Sequence, residues 1–172
     1  MNEAVQITID QDTATPALER ITDKAALGAA LAGEMDKQNQ FTVSHIQQRY
    51  MSLPKDGPTS LDGLRTISNR LRASVRASRS EIAEAGVKSA MGSNVAYAEI
   101  LETGGDTAPH KIVARNAKAL AFNGIFRRSV NHPGSHIEGR HYVRRGIMDR
   151  LEEYGAAFTR AILRLARTGG AS

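Results

Sequence analysis

The chain has 172 residues and a mass of 18.6 kDa, with 41% hydrophobic and 24% charged side chains, an ordinary composition for one folded domain and one that excludes collagen-like, mucin-like and wholly disordered classes. It contains no Cys, which removes disulfide scaffolds, thiolate zinc sites, Fe–S clusters and thiol nucleophiles. The net charge of +5 is uneven: residues 1–60 carry 5 basic and 8 acidic side chains, residues 61–172 carry 18 and 10, so the C-terminal two-thirds favours an anionic partner, nucleic acid or an acidic protein face.

Residues 4–10 alternate Val5, Ile7 and Ile9 with polar neighbours, the period of a strand or extended arm. Thr15-Pro16 then opens a helix, with Thr as N-cap and Pro in the first turn. Leu18, Ile21, Ala25, Gly28, Leu31 and Met35 form its apolar stripe to about residue 40, and residues 41–51 continue it or begin a second piece. Two Pro and a Gly make residues 53–59 a loop. A short helix is expected over 61–69, a half-buried strand over 71–78 from the alternation of Leu71, Ala73, Val75 and Ala77, and a second strand over 86–91. Residues 95–102 read as a short helix ended by Gly104-Gly105.

Asn123-Gly124 lies between β-prone runs at 119–122 and 125–130, a strong hairpin signal. The preceding stretch, 106–117, is polar and ambiguous, although Ile112-Val113 can pair. Residues 131–139 read as a loop. From Arg140 a single long helix is expected, with Val143, Ile147, Leu151, Tyr154, Phe158, Ile162 and Leu165 facing inward. The fold class is therefore α+β: helices packed on one face of a small, mostly antiparallel sheet, with a long C-terminal helix. Residues 1–15 form an extended arm or strand, 16–167 one domain, and 168–172 a frayed tail. No apolar run is long enough to span a bilayer and no signal peptide is visible, so no membrane partner is expected and a cytosolic site of synthesis is.

Catalytic patterns are sparse. His110, His132, His136 and His141 invite a metal, but Pro133 and Gly134 break the helical spacing and no HExxH supports them. Ser135 sits beside His136 without a GxSxG elbow. Glu99 and Glu102 share a helical face, which a solvated surface or intersubunit ion pairs explain more simply than acid–base work. Neither GxxxxGK[ST] nor GxGxxG occurs. No enzyme activity, cofactor or metal is expected. The Arg-rich stretch at 65, 70, 72, 76 and 79, and Arg160, Arg164 and Arg167 on the last helix, can neutralise phosphates. A basic DNA-binding regulator, with a helix–turn–helix within 16–50, is thus the alternative reading, although aromatic stacking positions and base-reading motifs are lacking.

Four blocks carry a family resemblance. Asn69-Arg70-Leu71-Arg72-Ala73-Ser74-Val75 is similar to a G-x-L-x-x-S-I segment. The run from Met91 through Gly105, MGSNVAYAEILETGG, is similar to VGtn-x-YA-x-ihe-x-G. The run from His110 through Phe122, HKIVARNAKALAF, is similar to I-x-P-k-x-a-k-a-L-x-F, with Ala114 where Pro is common. Val130-Asn131-His132-Pro133-Gly134 is similar to V-x-H-P-G. In this order and spacing the chain resembles the tail-completion and virion-morphogenesis proteins of tailed phages, related to HK97-like head–tail junction proteins. The resemblance implies a non-enzymatic virion protein at the head–tail junction, acting in tail completion, tail termination or as a neck connector. It implies a homomeric ring, with a hexamer among the copy numbers, around the channel through which genomic DNA passes. Its partners would be further copies of itself, a tail-tube protein and connector or stopper proteins, assembled in the host cytoplasm. Glu102, Lys111, Arg115, His132 and Pro133 are the candidate subunit-interface residues, on turn-rich polar segments beside sheet edges.

Overall fold

The structure, a computed structural model, describes residues 14–53, 63–65, 69–84, 86–115 and 117–167. The expected N-terminal strand and the C-terminal tail lie outside these residues. The fold is α+β, with antiparallel strand pairs and a long C-terminal helix.

Helix α1 (Ala14–Thr22) starts one residue before the expected Thr15 cap and stops at Asp23. The Asp23 carboxylate accepts the N–H groups of Ala25 and Ala26 at 2.9 and 3.3 Å, so it caps a new helix, α2 (Lys24–Arg49), instead of extending the old one. Helix α2 runs unbroken past Phe41 for 26 residues, about 39 Å. Its buried face is Gly28, Glu34, Gln38, Asn39, Thr42, Val43 and Ile46. Of the expected stripe only Gly28 is buried, and Leu18 is exposed.

Residues 63–65 are extended, with Leu53 bridged to Arg65, where the sequence suggested helix; 61–62 and 66–68 are outside the described residues. The strand expected over 71–78 is mostly helix α3 (Arg70–Ser74), and only β1 (Arg76–Ala77) remains extended. Leu71 and Val75, both buried, are four apart. That spacing satisfies a helical turn as well as a strand, and the tertiary core decides between them. Strand β1 pairs with β4 (Met91–Gly92), and β2 (Glu81–Ala83) forms a hairpin with β3 (Gly86–Lys88), so the expected 86–91 strand is divided in two. Helix α4 (Ala98–Thr103) ends at Gly104.

The expected long terminal helix is two: α5 (Tyr142–Met148) and α6 (Leu151–Arg167). At their junction Asp149 accepts a hydrogen bond from the Tyr50 hydroxyl at 2.5 Å and lies 2.9 Å from His45 Nε2, anchoring the break on α2. The break rotates the apolar repeat: Tyr154, Ala157 and Ala161 are buried, while Leu151 is 56% exposed. Leu151 is therefore no core residue.

Two zones hold the protein together. One is apolar: Val43, Ile46, Tyr50, Met51, Leu71, Val75, Val95, Ala98 and Tyr142. The other is the α2–α6 seam, where the buried polar face of α2 is satisfied by α6. Tyr154 donates its hydroxyl proton to Asn39 Oδ1 at 2.7 Å and lies 3.0 Å from Thr42 Oγ1. Asn39 in turn donates to Ser89 Oγ at 2.8 Å. Arg164 donates to the buried Glu34 carboxylate at 2.7 Å, and this hydrogen bond holds the Glu34 carboxyl below the usual carboxylate range. At the far end Arg20 donates to the Ala166 carbonyl at 2.7 Å.

Candidate functional site: a basic β-arm and an apolar groove

Six of the ten described strands belong to one feature. Strands β5 (Gly105–Asp106) and β10 (His136–Ile137), β6 (His110–Val113) and β9 (Ser129–His132), and β7 (Leu120–Phe122) and β8 (Ile125–Arg127) are nested antiparallel pairs. They form a single long hairpin, the β-arm. Its register is continuous from Gly105↔Ile137 to Val113↔Ser129, and Thr107 joins the two lower ladders by donating its N–H to the Ser135 carbonyl at 2.9 Å. Above Val113, the Ala114 N–H reaches the Arg128 carbonyl at 3.3 Å, and the tip ladder resumes at Leu120↔Arg127 with its register shifted. At the tip Asn123 and Gly124 have φ of 48° and 77°, the pair of positive values that a tight two-residue hairpin turn needs.

None of the described residues from 105 to 137 is buried. Yet the arm carries apolar side chains: Ile112, Val113, Ile125 and Phe126 are exposed, Phe126 to 73%. Its charge is one-sided, with Lys111, Arg115, Lys118, Arg127 and Arg128 against Asp106.

The arm's base is fixed where two backbones cross. A Cβ on Gly104 would sit 2.7 Å from the Gly139 nitrogen, and one on Gly139 would sit 2.7 Å from the Thr103 carbonyl carbon. Only glycines permit this approach, and Gly104 also has φ 77°. The crossing is tied by hydrogen bonds from Arg140 and His141 N–H to the Leu101 and Glu102 carbonyls at 2.8 and 3.0 Å.

Four of the expected interface residues, Lys111, Arg115, His132 and Pro133, stand on the arm; Lys111, Arg115 and Pro133 are exposed and His132 is half-buried. Glu102 does not join them. Its two carboxylate oxygens accept the N–H groups of Val143 and Arg144, each at 3.0 Å. It caps α5 from a distance, replacing the cap that His141, at φ 51°, does not provide.

His110 and His132 face each other across the ladder with ring centroids 5.1 Å apart. His132 Nδ1 accepts the Gly134 N–H at 3.1 Å, and His110 Nδ1 donates to the Ala108 carbonyl at 3.0 Å. His136 Nδ1 lies 2.8 Å from Asp106 across the lowest ladder. Among the described residues no three His, Asp or Glu side chains come together as a metal site, and no helix is long and apolar enough to cross a membrane.

Beside the arm's base lies a groove of about 500 Å³ between β4, α4 and α5. Met91, Ala98, Val143, Ile147 and Met148 line it, with Tyr142 in its floor. The Tyr142 hydroxyl donates to the Ala98 carbonyl at 3.3 Å, and burial pushes its pKa up to about 12. Glu99 and Arg144 stand exposed on its walls.

The arm's extent was partly visible in sequence through Asn123-Gly124 and Ile112-Val113. The groove was not, because it is assembled from segments about 50 residues apart. Searches against protein-family models, curated proteins and solved structures found no match.

Proposed function

We propose that the protein is a structural, non-enzymatic virion subunit of a tailed phage, acting at the head–tail junction in tail completion, termination or neck connection. In this reading it assembles as a homomeric ring around the DNA channel and meets tail-tube and connector or stopper proteins. Two things support the reading. The four sequence blocks between residues 69 and 134 come in the order and spacing that those phage proteins use. The observation that carries it physically is the β-arm: a ladder that is two-stranded among the described residues, with exposed Ile125 and Phe126. Such a ribbon is marginal in water by itself and gains stability when another surface covers it. Assembly supplies that surface.

Disrupting the gene in the phage tests the proposal. Filled heads and tails that fail to join are expected. Overlong tubes assign the terminator role, and unattached tails of normal length assign completion or connection. Normal infectious particles overturn the reading. The basic arm also suits the alternative, a DNA-binding regulator. Preference for one DNA sequence persisting at physiological salt would favour that alternative, because phosphate contacts alone are salt-sensitive and sequence-blind.

A further inference from the structure

We infer that the tip of the β-arm seats in the α4–α5 groove of a second copy of this chain, a head-to-tail contact. The inference rests on the assembly reading above and gives it a specific lock.

The two surfaces complement each other. The tip offers Phe126, exposed to 73%, on one face, and Ile125, exposed to 47%, on the other. An aromatic side chain buries about 150–250 Å² when fully covered, and a groove of about 500 Å³ with Val143, Ile147 and Met148 on its walls can receive it. The tip residues do not occupy the groove of their own chain, since they are exposed, as is Met148 at 61%. The arm leaves the body at the groove's edge, next to Glu102, and its ladder then carries the tip away over nine residue pairs in continuous register, roughly 30 Å at the rise of a strand.

Charge favours the same pairing. Arg127 and Arg128 follow Phe126 directly, and Lys118 precedes the opposite tip strand by two residues. The groove's lining carries Glu99 and Glu102 against Arg144, an excess of one negative charge. Knob and hole are different surfaces of one chain, so the contact is head-to-tail and can repeat, giving a ring where its rotation closes.

The test uses the full-length protein and two surface substitutions. Phe126→Asp destroys the knob and leaves the groove. Met148→Arg fills and recharges the groove and leaves the knob. Both residues are exposed, so circular dichroism and melting should match the parent; Phe126→Ser is the milder substitute if the first variant misfolds. Native mass measurement should find assemblies in the parent and, in each variant alone, a dissociation constant higher by about 100-fold or more. An equimolar mixture of the two variants should form a dimer of twice the 18.6 kDa subunit mass and grow no further, because one intact knob meets one intact groove.

A monomeric parent, unchanged assembly by Phe126→Asp, or a mixture that stays monomeric overturns the inference. So does a tip substitution that leaves the mass unchanged but weakens binding to a random DNA duplex. The phage gene disruption reads out separately. A mixed-variant dimer with a normal disrupted phage keeps the lock and rejects the virion role. A failed head–tail joint with assembly unchanged by Phe126→Asp does the reverse.

Discussion

Adding one methyl group at Gly146 tests how tightly α5 is set on α2. Gly146 is buried, and a Cβ there would lie 2.2 Å from Ile46 Cγ1 and 3.0 Å from Cδ1, where ordinary contact begins at 3.4 Å. Ile46 is fully buried and β-branched, so the near atom is not the free end of a flexible chain. Relieving more than an ångström of overlap in a packed core costs about 3 kcal/mol. Ala is the better helix former by about 1 kcal/mol. The net expectation for Gly146→Ala is a loss of about 2 kcal/mol. Gly33 in α2 and Gly155 in α6 are the controls: both are exposed helical positions with nothing within 4 Å of the added Cβ. There Ala should add about 0.5–1 kcal/mol. Urea unfolding of the three variants, compared at unchanged m-value, measures the contrast. If Gly146→Ala stabilised the protein as the controls do, the packing of α5 on Ile46 would be wrong.

Three further outcomes follow from the hydrogen-bond geometry. Glu102→Ala removes both acceptors at the start of α5 and should cost about 1–2 kcal/mol in urea; an unchanged midpoint would show that α5 needs no distant cap. Tyr154→Phe leaves buried Asn39 and Thr42 short of a partner and should cost about 1–3 kcal/mol, whereas a neutral result would mean that water reaches the seam. Acid should weaken the fold through Glu34, lowered chiefly by its Arg164 hydrogen bond, and Asp149, lowered chiefly by those from His45 and Tyr50. Because their folded pKa values are depressed, their contribution is full above the ordinary carboxylate range and is lost as pH falls through and below it. Urea midpoints should therefore drop below about pH 5, and Glu34→Gln should flatten that slope; a slope unaltered by Glu34→Gln would remove Glu34 from the account.

How much of this was legible in sequence depends on the range of the cause. The Asn123-Gly124 turn and the Gly104 helix stop are local, and both appear where the residues indicate. Leu71 and Val75 fit either a strand or a turn of helix, and five residues are too few to separate the periods. The hydrophobic pattern misplaced the inner face of α2 because Glu34, Gln38, Asn39 and Thr42 are buried by hydrogen bonding to partners over 40 residues away. Periodicity of apolar residues carries no trace of a polar seam. The capping work of Glu102 was hidden for the same reason: it depends on Val143 and Arg144, 41 and 42 positions further along.

The polar seam also bears on the order in which the chain is made. Helix α2 leaves the ribosome long before α6, and the bonds between them join residues 112 to 130 positions apart. During that wait an apolar face would be an adhesive surface, open to other nascent chains and to chaperones. Glu34, Gln38, Asn39 and Thr42 instead hydrate well until Tyr154 and Arg164 arrive. Chains stopped before residue 151 should then be incompletely folded yet resist aggregation along this face. A subunit that is synthesised in many copies close together, as a ring component would be, gains from having its latest-formed contact made of groups that water can hold in the meantime.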